Sequence, residues 1–292
     1  MAAGLRFDAL APVDPRSLPP FESFRARDGT ALPLRHFAAD ARCTLILLHG
    51  SGYHGRYLAP LALRLAGAGA ARVYVPDLRG HGLAPARRGD IAYTDQLEDD
   101  LADLVAFTRA RHPDAKIAVA GHSSGGGLAL RFAGGAHGDD AAGYALLAPY
   151  LGHTAPTTRP GSGGWARPRI PLIVALSLLG AFGVHALDGL TALRFAMPEN
   201  VRDGSETLAY SWRMTQGFAP RDWRRDLAAV RRSLLVVIGA DDEAFLAERY
   251  PEAVRSHAAS ARVELVPGVS HLGIVGAPEV AATLDEWLRA LR

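Results

Sequence analysis

A single cysteine, Cys43, stands in this chain of 292 residues, so no internal disulfide can form and no thiolate cluster can be assembled around a metal. Its place at the start of an apolar run predicts a buried or half-buried packing residue. Lysine is equally scarce: Lys116 is the only one, and the other 31 of the 32 basic residues are arginine, a coding bias of the source genome. Neither sign of charge is in excess. Lys+Arg 32 against Asp+Glu 30 leaves a formal +2, which excludes the basic field that draws nucleic acid by counterion release, so no nucleic-acid partner is expected. Met1 to Pro20 lacks the uninterrupted apolar stretch of a signal peptide, which makes the cytoplasm the expected compartment. Ile170 to Leu187, eighteen residues without a formal charge, sits at the lower edge of bilayer-spanning length. A span there would pull the strands before and after it to opposite sides of a membrane, so a soluble lid is expected instead.

What is present is enough apolar material, 49% of residues with 21% charged, for a large buried core. Short apolar runs predict strands at Phe21 to Arg27, Leu32 to Ala38, Thr44 to His49, Arg72 to Val75, Lys116 to Ala120, Tyr144 to Ala148, Leu234 to Ile238 and Arg262 to Val266. Runs without polar alternation suit strands covered on both faces. Helix-length patterns lie between them, at Tyr57 to Ala68, Thr94 to Arg111, Ser124 to Ala133, Tyr250 to Ala259 and Pro278 to Leu291, so the fold class is α/β with a mostly parallel, doubly wound sheet of about eight strands. Asp28-Gly29 makes a good hairpin turn and an antiparallel start to the sheet. In Thr94 to Arg111 the apolar positions Leu97, Leu101, Leu104 and Val105 define one face, and Glu98, Asp99, Asp100 and Asp103 are expected to keep the other face in water. The rhythm breaks after Pro149. Residues 151–220 read as an insertion between a first core segment, 1–150, and a second, 221–292.

Gly121-His122-Ser123-Ser124-Gly125 follows a strand and opens a helix. A serine on such a sharp turn needs glycine two positions to either side, where side chains would collide. Ser123 Oγ would then stand at the carboxyl edge of the sheet, with the Ser124 N–H at a helix start where an oxyanion is stabilised. A serine hydroxyl needs a base, and the base an orienting acid. His271 follows the last strand, and Asp241 and Asp242 follow the strand Leu234 to Ile238, both at carboxyl ends. The order Ser, Asp, His is that of the α/β-hydrolase fold.

Together with His49-Gly50-Ser51-Gly52-Tyr53-His54-Gly55-Arg56-Tyr57 and Asp77-Leu78-Arg79-Gly80-His81-Gly82, these motifs make the chain similar to α/β-hydrolases of the monoacylglycerol lipase and lysophospholipase group, also called serine aminopeptidase-like. The resemblance runs from Leu45 to Leu288 and leaves only the insertion poorly matched. It implies Ser123 as nucleophile, His271 as base and Asp242, in preference to Asp241, as acid. It further implies Ser51 as the second oxyanion donor beside Ser124, with His49, His81 and His122 in structural roles. No cofactor is implied. His36, His112, His137, His153, His185 and His257 form no metal-ligand pair, and no GxGxxG follows a strand. Two departures bear on substrate. Leu83-Ala84-Pro85 replaces a serine common in the family, which predicts a rebuilt loop beside the pocket. Gly50-Ser51-Gly52-Tyr53 stands where the proline-peptidase branch has Gly-Gly-Pro-Gly, which favours an esterase.

The insertion, punctuated by Pro168, Pro171, Gly180 and Gly183, predicts a helical cap over the serine. Leu172, Ile173, Val174, Leu176, Leu178, Leu179 and Phe182 would wall an acyl chain, pack the cap on the core, or rest on lipid as a peripheral membrane contact. The function expected is a serine hydrolase cleaving a monoacylglycerol- or lysolipid-like ester. Acyl transfer, amide or peptide cleavage with the same three residues, and a silent hydrolase fold used for binding are the alternatives.

Overall fold

A computed structural model of the protein describes residues 4–291. The first three residues of the expected first core segment, and the last residue of the second, lie outside them. Among the described residues eleven strands form two sheets. They are β1 (Phe21–Arg25), β2 (Ala31–Phe37), β3 (Cys43–Leu48), β4 (Arg72–Pro76), β5 (Lys116–His122), β6 (Gly143–Leu147), β7 (Ala166–Pro168), β8 (Thr191–Phe195), β9 (Ala209–Ser211), β10 (Ser233–Gly239) and β11 (Arg262–Val266). The eight-stranded sheet has the order β1-β2-β4-β3-β5-β6-β10-β11. β1 and β2 pair antiparallel, as do β2 and β4, and every pair from β4 to β11 is parallel. All eight strands expected from the apolar runs are present, with no end moved by more than two residues.

The helices are α1 (Ala59–Gly67), α2 (Gln96–Arg111), α3 (Ser124–Ala133), α4 (Ile170–Ala181), α5 (Trp212–Gly217), α6 (Trp223–Ala229), α7 (Tyr250–Arg255) and α8 (Pro278–Ala290). α1 packs beside α8, while α3 packs beside α2 and α6. Every residue of β3 and β6 is buried, which requires cover on both faces of the sheet and explains why these strands carry no polar alternation. Cys43 is buried, as its apolar setting predicted.

Two expectations are overturned. The acidic face of α2 is solvated only in part: Asp99 and Asp103 are half-exposed, but Glu98 and Asp100 are 3% and 4% exposed. Arginines from other elements reach in to neutralise them. Arg131 of α3 donates to Glu98 at 3.1 Å, Arg221 pairs with the same carboxylate at 2.5 Å, and Arg79 grips Asp100 with two bonds of 2.8 Å. Buried carboxylates need such partners, and an amphipathic pattern cannot reveal charges supplied from elsewhere in the chain.

The second correction concerns the insertion. It holds the expected helix, α4, but also a three-stranded antiparallel sheet, β7-β8-β9, of short strands, two of which carry an arginine. On α4 only Leu176 is buried; Val174 and Leu178 are 52% and 60% exposed, and Phe182 beyond its end is 86% exposed. None of the seven apolar side chains walls the cavity beside Ser123, and of them only Leu176 is fully buried, with Leu172, Ile173 and Leu179 half-buried. Among the described residues no helix is long and apolar enough to cross a membrane.

Candidate active site

Strands β3, β5, β10 and β11 run in parallel, so the loops after them gather at one edge of the sheet. Ser123 sits between β5 and α3 with φ +56° and ψ −120°, a conformation that L residues avoid. The backbone is held there from several sides. Ser123 N–H donates to Leu147 O at 2.9 Å, and Ser123 O accepts from Gly127 at 3.1 Å and Tyr150 at 2.9 Å. Glycine is obligatory on both flanks: a Cβ on Gly121 would lie 2.1 Å from Gly125 O, and one on Gly125 would lie 2.4 Å from His49 O.

His271 Nε2 is 3.0 Å from Ser123 Oγ, and His271 Nδ1 is 2.8 Å from Asp242 Oδ2. The other carboxylate oxygen of Asp242 accepts the Ala244 and Phe245 N–H groups, each at 2.8 Å. Asp241 is exposed, turned away from this line. Burial disfavours a charged imidazole at His271, but the Asp242 carboxylate outweighs it and holds the pKa above the ordinary value. The three neighbouring histidines go the other way. Burial pushes His49 down to about 4 and takes His81 and His122 well below the usual range, so they stay neutral.

Neutral rings act as one donor and one acceptor, which orients the loop after β3. His122 Nε2–H donates to His271 O at 3.0 Å, so its Nδ1 accepts from the Tyr57 hydroxyl at 2.8 Å, and Tyr57 in turn accepts the Gly50 N–H at 2.7 Å. His81 Nδ1–H donates to Arg79 O at 3.0 Å, its Nε2 accepts from Tyr210, and Tyr210 accepts the Gly52 N–H at 3.1 Å. Two tyrosines thus hold the amides on either side of Ser51. Neither the Ser51 N–H nor the Ser124 N–H is taken by an acceptor among the described residues. The arrangement can hold a proton on His271, expose a hydroxyl 3.0 Å away, and offer unpaired amides to an anion.

A cavity of about 20 Å³ opens beside Ser123, walled by Leu5, Phe7, Tyr53, Trp165 and Leu272. Trp165 comes from the insertion and donates Nε1–H to Ser51 Oγ at 3.2 Å. Leu83 is 69% exposed and is not among the lining residues, so the departure at 83–85 faces solvent. Among the described residues no group of three or more His, Cys, Asp or Glu side chains is arranged to hold a metal ion.

A protein-family profile described as serine aminopeptidase, S33, matches residues 39–274. The chain belongs to this family. It is 32% identical over 93 residues to the monoacylglycerol lipase of Mycolicibacterium smegmatis, a stretch covering 32% of this chain and 33% of that protein. The chain thus spans a third or less of the length of the curated relatives it matches. Among solved structures, Paleococcus ferrophilus monoacylglycerol lipase superposes with a TM-score of 0.69 at 20% identity, over 90% of this chain and 100% of the other. A soluble variant of monoglyceride lipase from Saccharomyces cerevisiae gives 0.69 at 18% identity, over 93% and 95%. The α/β-hydrolase fold expected from the sequence is the fold of the family.

The structure brings Ser123, Asp242, His271 and the Ser51 amide to the sheet edge where sequence reasoning put them, with Ser124 at the head of α3. That reasoning missed Tyr210, Trp165, Glu243, Leu5 and Phe7, which come from distant parts of the chain and carry no local signature. Tyr57 lay inside a quoted motif, yet only its contacts reveal what it holds.

Proposed function

We propose that this member of the S33 family is a serine hydrolase that cleaves carboxylic esters through an acyl-enzyme. The observation that carries the reading is the continuous line Asp242 Oδ2, His271 Nδ1, His271 Nε2, Ser123 Oγ, with spacings of 2.8 and 3.0 Å. Ser123 Oγ attacks the ester carbonyl while His271 Nε2 takes the hydroxyl proton. Asp242 fixes the tautomer with the proton on Nδ1 and stabilises the imidazolium. The amides of Ser51 and Ser124 take the oxyanion. As the tetrahedral intermediate collapses, His271 returns the proton to the leaving alcohol. Water, deprotonated by the same imidazole, then releases the acid and restores Ser123.

The favoured substrate is a monoacylglycerol- or lysolipid-like ester, a reading supported by the names of the similar lipases. An ester is favoured over a peptide because the loop Gly50-Ser51-Gly52-Tyr53 lacks the peptidase pattern. Residues 151–220 act as a cap on a core formed by 1–150 and 221–292, supported by Trp165 reaching from the insertion into the cavity wall. The exposed apolar side chains of α4 support peripheral contact of that cap with lipid. Replacing Ser123→Ala tests the core of the reading. Turnover of p-nitrophenyl acetate and labelling by a small fluorophosphonate should both vanish, and a variant that keeps either one removes Ser123 from the chemistry. Product analysis with competing alcohols separates hydrolysis from acyl transfer.

A further inference from the structure

Residues 4–18 contain only two single-turn helices, Phe7–Ala9 and Pro15–Ser17, yet the start of this segment borders the cavity beside Ser123. Side chains alternate along the start of this strap: Leu5 and Phe7 are half-buried, whereas Arg6 and Asp8 face solvent. Leu5 and Phe7 line the cavity that holds Ser123 and His271, and the Phe7 ring sits 5.7 Å from the Trp165 ring. Further on, the strap follows the loop after His271. A Cβ built on Gly273 would lie 3.7 Å from Ala9 Cβ, and one on Gly276 would lie 3.2 Å from Ala11 Cβ, so glycines there make room for the strap. One carboxylate clasps the arrangement: Glu243 Oε1 accepts the Arg6 N–H at 2.7 Å while Glu243 Oε2 accepts the His271 N–H at 3.0 Å.

The cavity left under this strap, about 20 Å³, is on the order of one water's space, whereas pockets for ligands with long apolar parts run to about 300 Å³ or more. We infer that Leu5 and Phe7 determine which acyl groups reach Ser123: with the strap seated only short acyl groups fit, and a long acyl chain enters by displacing the strap and taking over its apolar groove. The inference rests on the ester-hydrolase reading and deepens it. The groove already suits an alkyl chain, because Leu5 and Phe7 are themselves apolar occupants of it, bounded by Trp165, Tyr53 and Leu272. The strap can leave it at modest cost, because Glu243 Oε1 to Arg6 is the one backbone tie from residues 4–8 to a distant residue among the described hydrogen bonds.

The test pins the strap covalently. The 3.7 Å spacing of Ala9 and Gly273 is within the Cβ–Cβ range of a disulfide, so Ala9→Cys with Gly273→Cys allows a reversible lock. Ser270 Oγ, 2.9 Å from the new Cβ, can rotate aside. The native Cys43 does not compete, being buried with its thiol pushed up to about 11. Turnover of p-nitrophenyl acetate and p-nitrophenyl decanoate is compared in the double variant after oxidation by glutathione disulfide and again after reduction. Oxidation should lower kcat/KM for decanoate at least tenfold and change that for acetate less than twofold, with recovery on reduction. In a second variant, Leu5→Ala with Phe7→Ala, the decanoate-to-acetate ratio of kcat/KM should rise at least tenfold over the unsubstituted protein. Equal effects on both esters, no effect of the lock, or a ratio that falls when the side chains are trimmed overturns the inference. Failure of the underlying reading looks different: the unsubstituted protein then turns over neither ester and takes no fluorophosphonate at Ser123.

Discussion

Replacing Asp242→Asn removes one charge and almost no volume, and the surroundings dictate which way the new amide faces. Asp242 Oδ1 accepts two backbone N–H groups, from Ala244 and Phe245, both at 2.8 Å. Turning the amide NH₂ toward them would leave two buried donors opposed, at about 1–3 kcal/mol each. The Asn oxygen therefore stays on the backbone, and its NH₂ points at His271 Nδ1, which must then be an acceptor. A neutral imidazole with Nδ1 unprotonated carries its proton on Nε2, facing Ser123 Oγ, where it cannot receive another. The expected loss is about 10⁴-fold in kcat, or about 5.4 kcal/mol at 1.36 kcal/mol per decade. Asp241→Asn, at an exposed position, should change kcat less than twofold. Steady-state hydrolysis of p-nitrophenyl acetate at pH 8 reads both, with circular dichroism to verify folding. An Asp242→Asn variant keeping more than a tenth of its kcat, or an Asp241→Asn variant that loses more, refutes the reasoning.

The same perturbation has a pH signature. His271 is held above the ordinary histidine value because the Asp242 carboxylate outweighs burial, and the base form is the neutral ring. Activity should therefore fall toward acid through a midpoint above 6.5, the unperturbed value for histidine. Without the Asp242 carboxylate only the charge of Glu243 still opposes burial, so the acid limb of the residual activity should move to lower pH; an unmoved limb would assign the titration to another group.

Other expectations follow from packing. Arg131→Ala strips a buried partner from Glu98, and breaking a buried pair costs about 3–5 kcal/mol, so thermal unfolding should drop by roughly 6 °C or more; a smaller shift would mean that Arg221 alone suffices. Gly125→Ala would force a Cβ to within 2.4 Å of His49 O, so it should both lower the melting temperature and abolish aryl-ester turnover, and a fully active variant would contradict the tight turn. Leu178→Glu on α4, at 60% exposure, should leave melting and acetate turnover unchanged while weakening flotation with phosphatidylcholine vesicles; unchanged flotation counts against lipid contact.

The central strands were legible because burial on both faces demands continuous apolar runs, and β3, β5, β6 and β10 have them. Ser123, His271 and the pair Asp241-Asp242 were legible as candidates because a sharp turn needs Gly121 and Gly125 and because loops after parallel strands share one edge; singling out Asp242 took the family resemblance. Harder to see were β7 to β9, which are three to five residues long and interrupted by Arg167 and Arg194. The charges on α2 misled because Arg79, Arg131 and Arg221 approach from elsewhere, and periodicity describes one helix at a time. Similarly, the apolar run 170–187 signalled hydrophobicity but not what it faces, and most of its side chains other than Leu176 are half-buried or exposed. Leu5, Phe7 and Glu243 acquire meaning only from the meeting of two distant segments.

The tyrosine from β9 has a consequence for protein engineering. Gly52 is gripped from both sides by the insertion, its N–H by Tyr210 and its carbonyl by Thr207 N–H at 3.0 Å. Trimming residues 151–220 to make the entrance wider would remove both grips and leave the Ser51 amide on a slack tether. A scaffold trimmed in this way would keep Ser123 but lose the rigidity of the loop that carries the Ser51 amide. Redesign of this doorway is better done by reshaping side chains in place than by excision.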